Sequence, residues 1–339
     1  MLEYLPWSVD VLHDCWEQYN KTEKLNIIDI ELGGACNFRC KYCDTPTYQK
    51  DIAYCLEDIE KLIIQSGVKW LFLCGLGEPT VGANMRDLKI ILSFCKAHNV
   101  KCSAFSNIAN FDDELFMYVE QEVLYPLFKL DSFDANLIKR IYNISDQLAA
   151  KQLGNVYRMP DVVKMDGHYT NVAASIVPSN DNFEELETIV SWCYANNIYP
   201  LIGDLEDAGK GQDEYRAMKV TDQNLLRLRK FILDRTGEEY RIPICPSVLF
   251  GLHISYDGFV VVDGVSGLSC HWFWLEEPKI KKLCEINGRT FNEMSTIVIE
   301  NRKKLKEQIR GMISERERLV FGGCGGDVVD LLAFYLEKM

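Results

Sequence analysis

Residues 26–32 (NIIDIEL) alternate between apolar and polar positions and are rich in β-branched residues, which predicts a strand ending just before Gly33 and Gly34. Five further apolar runs predict strands at 70–74 (WLFLC), 101–106 (KCSAFS), 124–130 (LYPLFKL), 171–177 (NVAASIV) and 198–203 (IYPLIG). Between them, apolar residues recurring at i, i+3 and i+4 predict helices over 55–67, 84–98, 112–120, 135–153 and 182–197. Strands alternating with helices in this way imply a parallel sheet with right-handed crossovers, and the polar, glycine-bearing segments fall after the strands, where α/β enzymes build their sites. The expected fold is an α/β partial (β/α)6 barrel of the TIM type, followed by a small α+β extension.

The pattern changes after about residue 205. A polar, glycine-bearing stretch at 206–213 precedes a predicted helix at 220–235, a hairpin turning at Tyr256, Asp257 and Gly258, and two terminal helices. This divides the chain into a lead-in at 1–25, a barrel at 26–215 and a C-terminal domain at 216–339.

Composition narrows the function classes. With 339 residues, 47% of them hydrophobic, the chain buries a large core. No run of 18 apolar residues occurs, and residues 1–10 lack the basic and then apolar order of an export signal, so a cytoplasmic protein that does not enter a membrane is expected. The net charge of −13, spread along the chain, disfavours nucleic acid as a partner. An acidic envelope favours a cationic small-molecule substrate, or serves solubility alone. Thirteen cysteines, an odd number, point to metal or redox chemistry instead of a disulfide framework.

Three of these cysteines, Cys36, Cys40 and Cys43, lie within one tight loop directly after the first predicted strand. Thiolates are the ligands that iron–sulfur clusters require, and three without a fourth leave one iron open. The spacing of three and then two intervening residues, after the first strand of a partial barrel, resembles the radical S-adenosylmethionine (radical SAM) superfamily over residues 26 to about 205. That resemblance implies a [4Fe–4S] cluster whose open iron chelates S-adenosylmethionine, cofactor cleavage to a 5′-deoxyadenosyl radical, and an external electron donor such as flavodoxin or ferredoxin.

The resemblance extends to other positions. Tyr42 occupies the aromatic place that family members set against the adenine, or is an ordinary loop tyrosine. Gly75, Gly77 and Glu78, followed by Pro79, are similar to the family's glycine-rich turn with one extra residue. Glycines let a backbone approach a ligand, and a carboxylate can accept hydrogen bonds from the cofactor's ammonium. By position, Ser106, Asn107 and Ser175 are places where the family binds the cofactor's ribose or carboxylate; turn chemistry explains them equally. Lys129 and Asp131 flank the fourth strand's end, as substrate-binding groups or as a solvated strand end. Cys74 and Cys102 fall in barrel strands, where an inward thiol would donate a hydrogen atom to a substrate radical; Cys193 is expected in the core.

Beyond the barrel, Cys245 followed by a hairpin glycine and Cys270 is similar to the start of SPASM and Twitch domains, which hold auxiliary [4Fe–4S] clusters. The later close cysteine pairs of a two-cluster domain are missing, so one auxiliary cluster is expected, on Cys245, Cys270 and Cys324 with Cys284 as fourth ligand and His271 as an outside candidate. A barrel with one auxiliary cluster implies an oxidoreductase that dehydrogenates a secondary alcohol on an amino sugar or aminocyclitol, the cluster accepting the surplus electron. Alternatives are a radical epimerase with a cysteine hydrogen donor, a peptide maturase and an activase of glycyl-radical enzymes. The roughly 25 residues before the first strand are too few for a leader-binding domain.

Overall fold

A computed structural model describes residues 2–43, 51–73, 75, 77–203, 205, 217–238, 240, 245–263 and 280–316, with side chains up to residue 303. Six parallel strands form the barrel wall: β2 (Ile27–Ile30), β3 (Trp70–Leu73), β4 (Lys101–Ser106), β5 (Leu124–Lys129), β8 (Ala173–Ile176) and β9 (Tyr199–Ile202), adjacent in chain order. Helices α2 (Leu56–Ser66), α3 (Gly82–Ala97), α4 (Asp113–Glu120), α5 (Ala135–Tyr142), α6 (Asp146–Arg158) and α7 (Leu186–Ala195) alternate with them. The sheet is not closed, and it has the expected open partial-barrel form.

Three differences from the expected elements have local causes. The helix expected over 135–153 is two helices, because Asn143 adopts a left-handed conformation (φ 50°) and Ser145 caps α6 by accepting from Leu148 N. The lead-in is ordered: β1 (Glu3–Tyr4) pairs with β7 (Tyr169–Thr170), itself hairpinned to β6 (Met165–Asp166), and α1 (Val9–Thr22) follows with Ser8 as its cap. The third lies after the barrel. The proposed boundary near residue 215 falls outside the described residues, and beyond it come α8 (Asp222–Thr236), the short α9 (Ser247–Phe250) and β10 (Gly251–Ile254). Strand β10 pairs in parallel with β2, so the sheet grows past the barrel's first strand. The antiparallel strands β11 (Phe259–Asp263) and β12 (Ile280–Glu285) extend it to nine strands, and α10 (Phe291–Arg316) follows. The hairpin expected at 256–258 joins β10 to β11, with Gly258 at φ 80°.

Side chains alternate between the two faces of the sheet. Trp70, Lys101 and Tyr125 share one face, the Lys101 ammonium standing 5.5 Å and 5.2 Å from the two ring centroids. Tyr4 reaches this face from the lead-in: its hydroxyl lies 3.0 Å from Ser103 Oγ and donates to Tyr125 O at 2.6 Å. By register, Asp29, Phe72, Lys129 and Ser175 lie on the same face, while Cys102 and Leu71 lie on the other, toward the helices.

Candidate active site

The loop holding Cys36, Cys40 and Cys43 leaves the C-terminal end of β2, and the neighbouring strand ends hold it in place. Glu78 N donates to Ala35 O at 2.8 Å, and Asn84 of α3 donates to Gly33 O at 2.6 Å. Asn107, just beyond β4, donates to Asn37 Oδ1 at 2.7 Å. Phe38 inserts behind the loop, stacked 5.1 Å from the Tyr142 ring. All three cysteines are partly buried, and none is in a disulfide. Burial pushes Cys36 up to about 11 and Cys40 up to about 12. The Cys40 thiol feels both other thiols, which raise it further, and the Lys129 charge, which lowers it.

Glu78, Ser106 and Asn107 converge in one buried node. Glu78 Oε1 accepts from Thr80 N (3.0 Å), Thr80 Oγ1 (2.7 Å) and Ser106 Oγ (2.6 Å), and Oε2 accepts from Asn107 N at 2.7 Å. Burial raises this carboxyl's pKa, and the four donors oppose the rise. Glu78 thus ties the end of β3 to the end of β4. The glycines before it serve the same closeness: a Cβ on Gly77 (φ 80°) would stand 2.5 Å from Gly33 O and 2.7 Å from Ala35 O. One on Gly75 (φ 105°) would stand 2.7 Å from Glu31 Cγ. Both glycines therefore press against the protein's own β2 end and cysteine loop.

A second group borders Cys40. The Tyr42 hydroxyl donates to Asp131 Oδ2, and the Lys129 ammonium lies 4.5 Å from the Tyr42 ring centroid and 4.0 Å from Asp131. Asp131 is fully buried; its Oδ1 accepts from Val177 N at 2.8 Å, and its own N donates to the Tyr142 hydroxyl at 3.0 Å. Asp131 is therefore an internal tie and not the solvated strand end that the sequence also allowed. Ser175 lies directly opposite Lys129 on β8 and is partly exposed on the same face.

Cys102 is a correction. It is fully buried on the helix-facing side, its thiol against that of Cys95 on α3, with its pKa raised well above the ordinary value by burial and by Cys95. The thiol therefore faces the helices and not the barrel interior, where a hydrogen donor was expected. Cys74 lies outside the described residues, as do Cys270, His271 and Cys324. Cys193 is buried in α7 as expected. Of the C-terminal set, Cys245 immediately precedes the turn into α9, and Cys284 sits half-buried on β12 opposite Val260, beside a bulge.

A group of buried charges went unnoticed in the sequence. His253 of β10 lies opposite Asp29 of β2, with Nδ1 3.3 Å from Asp29 Oδ2 and Nε2 3.3 Å from Glu31 Oε1. Burial would lower this imidazole's pKa, but the two carboxylates outweigh it and raise it to about 10. The signal was present in NIIDIEL: two acids at i and i+2 on one face of a buried strand need a partner.

The donor set at residues 36–43 fits an iron–sulfur cluster. Among the described residues no three His, Cys, Asp or Glu side chains converge as ligands of a single ion. A cluster asks for something else, since each thiolate binds a different iron and the sulfurs stand apart. Phe38 N donates to Cys36 Sγ at 3.4 Å, as backbone amides do to cluster thiolates, and Asn37 Nδ2 is buried with no acceptor of its own.

No protein-family model and no curated protein sequence matches the chain. Solved structures do. SuiB of Streptococcus suis bound to S-adenosylmethionine is 15% identical, the match covering 86% of this chain and 71% of that one, with a TM-score of 0.58. anSMEcpe with bound AdoMet and the Cp18Cys peptide is 14% identical over 88% of each chain, TM-score 0.57. The same enzyme with the Kp18Cys peptide is 13% identical over 92% and 96%, TM-score 0.56. Each of these neighbours was solved with S-adenosylmethionine bound, and the chain has their fold.

Proposed function

We propose that this protein is a radical SAM enzyme in which Cys36, Cys40 and Cys43 hold a [4Fe–4S] cluster, with S-adenosylmethionine bound beside it at the barrel mouth. One observation carries the reading. In a chain with the radical SAM fold, the three-thiol loop follows β2 directly and is fastened to the ends of β3 and β4 through Glu78 and Asn107. Bound there, cluster and cofactor would supply an electron and a carbon radical able to abstract hydrogen.

The chain's own residues hold and orient. Glu78 and Asn107 fix the loop, Gly77 lets it lie against the turn, and Lys129, beside Tyr42 and across from Ser175, offers a positive charge where an anionic group of cofactor or substrate would sit. Tyr42 is braced by Asp131, which fixes its ring at the edge of the cysteine loop. Cys245 and Cys284, with Cys270 and Cys324, are the ligands proposed for one auxiliary cluster.

For the substrate, the reading is oxidation of a secondary alcohol on an amino sugar or aminocyclitol. Hydrogen abstraction at the carbinol carbon and loss of the hydroxyl proton leave one electron, which the auxiliary site would accept. A peptide substrate is the second reading, favoured by neighbours solved with peptides: SuiB with its precursor peptide SuiA, and anSMEcpe with Cp18Cys.

The test is anaerobic reconstitution, reduction with dithionite and assay for 5′-deoxyadenosine. The wild type should form it, and replacing Cys36, Cys40 and Cys43 by alanine should abolish it; formation by that variant sinks the proposal. About four irons per chain would mean the first cluster alone, and about eight both. A sugar product lighter by two hydrogens supports the first substrate reading, and a modified peptide the second.

A further inference from the structure

The Asp29–His253–Glu31 group stands outside the site described above, yet all three of its side chains are buried. His253 is 3% exposed, Asp29 2% and Glu31 7%. Burying two carboxylates and an imidazole is costly, and apolar residues would satisfy a sheet interior at least as well. Buried charge near a candidate site therefore calls for a role.

The contacts show where the group acts. On one side, Asp29 Oδ2 accepts from Ser247 Oγ of α9 at 2.9 Å, in addition to facing His253. On the other, Glu31 is held at both oxygens, Oε1 by His253 Nε2 and Oε2 by Tyr256 N at 3.2 Å. A carboxylate so gripped cannot swing. Its Cγ occupies the space that a Cβ on Gly75 would need. Gly75 opens the turn that continues through Gly77 to Glu78, and Glu78 fastens the cysteine loop.

We propose that His253 is a positioning residue: by bridging Asp29 and Glu31 it fixes the Glu31 side chain against Gly75, and so sets the place of the 75–78 turn at the barrel mouth. Because His253 belongs to β10 and Glu31 to the end of β2, the C-terminal segment acts on the turn through a side chain of the barrel. The consequence for S-adenosylmethionine rests on the function proposed above; the consequence for the turn does not.

The experiment uses full-length protein and two readouts. Amide hydrogen exchange of peptides covering 74–80 is followed without cofactor, and S-adenosylmethionine affinity is measured on the reconstituted enzyme. His253→Gln and Glu31→Ala should each speed exchange of the turn about tenfold and weaken the cofactor by about tenfold or more, the usual range for losing an outer support. Glu31→Gln, which keeps the side chain's shape against Gly75, should do less than Glu31→Ala. Ser247→Ala, which removes a donor to Asp29 and leaves the two hydrogen bonds to the Glu31 carboxylate in place, should leave both readouts within about twofold of wild type.

Looser β10 peptides with an unchanged turn would mean that His253 only docks its strand, and would overturn the proposal, as would equal effects of Glu31→Gln and Glu31→Ala. If wild type binds no S-adenosylmethionine while the turn still answers to His253, the proposed function falls and the positioning role stands. Should His253→Gln fail to fold, the Glu31 pair decides.

Discussion

Asn107 Nδ2 donates to Asn37 Oδ1 at 2.7 Å while Asn107 N donates to Glu78 Oε2 at the same distance. One residue after β4 thus holds both the cysteine loop and the turn after β3. Replacing it with alanine keeps the backbone bond and removes two side-chain ones, leaving Asn37 Oδ1 without its donor and Ala109 N without its acceptor. We expect about 1–3 kcal/mol less protection of the loop, read as faster loss of iron to a chelator, with Glu78 still in place.

Gly77 should not tolerate a side chain. Its φ of 80° is strained for any other residue, and a Cβ would meet backbone oxygens of the cysteine loop, which cannot move aside. Gly77→Ala is expected to cost about 2–4 kcal/mol from strain and overpacking together, and to yield protein poor in iron. Gly154→Ala is the control. That glycine lies within α6 with open space around it, so alanine should stabilise by about 0.4–1 kcal/mol. Thermal melts and iron content measure both.

Cys102→Ala separates core thiol from hydrogen donor. Packed against Cys95 behind the sheet, Cys102 should be replaceable with unchanged product and a stability loss of about 1–2 kcal/mol. Product lost from a folded, iron-loaded Cys102→Ala protein would place the thiol in the chemistry after all.

His253 predicts a slope of stability against pH. Its imidazole titrates at about 10 in the fold and at about 6.5 in the unfolded chain. Its contribution is complete below the unfolded value and is lost as pH rises through the folded one. Melting temperature should therefore fall between about pH 6.5 and about pH 10 by more in wild type than in His253→Gln.

Much of this fold was legible because the strands of a parallel sheet are buried on both faces and read as short apolar runs. The span 101–106 matches β4 at both ends, and Glu78, Ser106 and Asn107 were each singled out. Their mutual contact was not, since hydrogen bonds across 28 and 29 residues leave no trace in spacing. Helix α1 carries a readable signal within the expected lead-in, a Ser8 cap before Val11, Leu12, Cys15, Trp16 and Tyr19 on one face. The split at Asn143 turned on one residue entering a left-handed conformation, which asparagine permits without requiring. The face of Cys102 depended on strand register, which the alternation of KCSAFS alone does not orient.

The parallel pairing of β10 with β2 joins residues about 220 positions apart, Gly251 with Ile27. At the usual pace of synthesis, roughly 5–20 residues per second, β2 stands without that neighbour for roughly 10–45 s after it leaves the ribosome. An open strand edge is an invitation to pair with another chain, and inward-pointing charges are one defence. Asp29 and Glu31 supply two on that strand, and they remain uncompensated until His253 is made. The last strand to reach the barrel thus carries the group that neutralises the guard on the first.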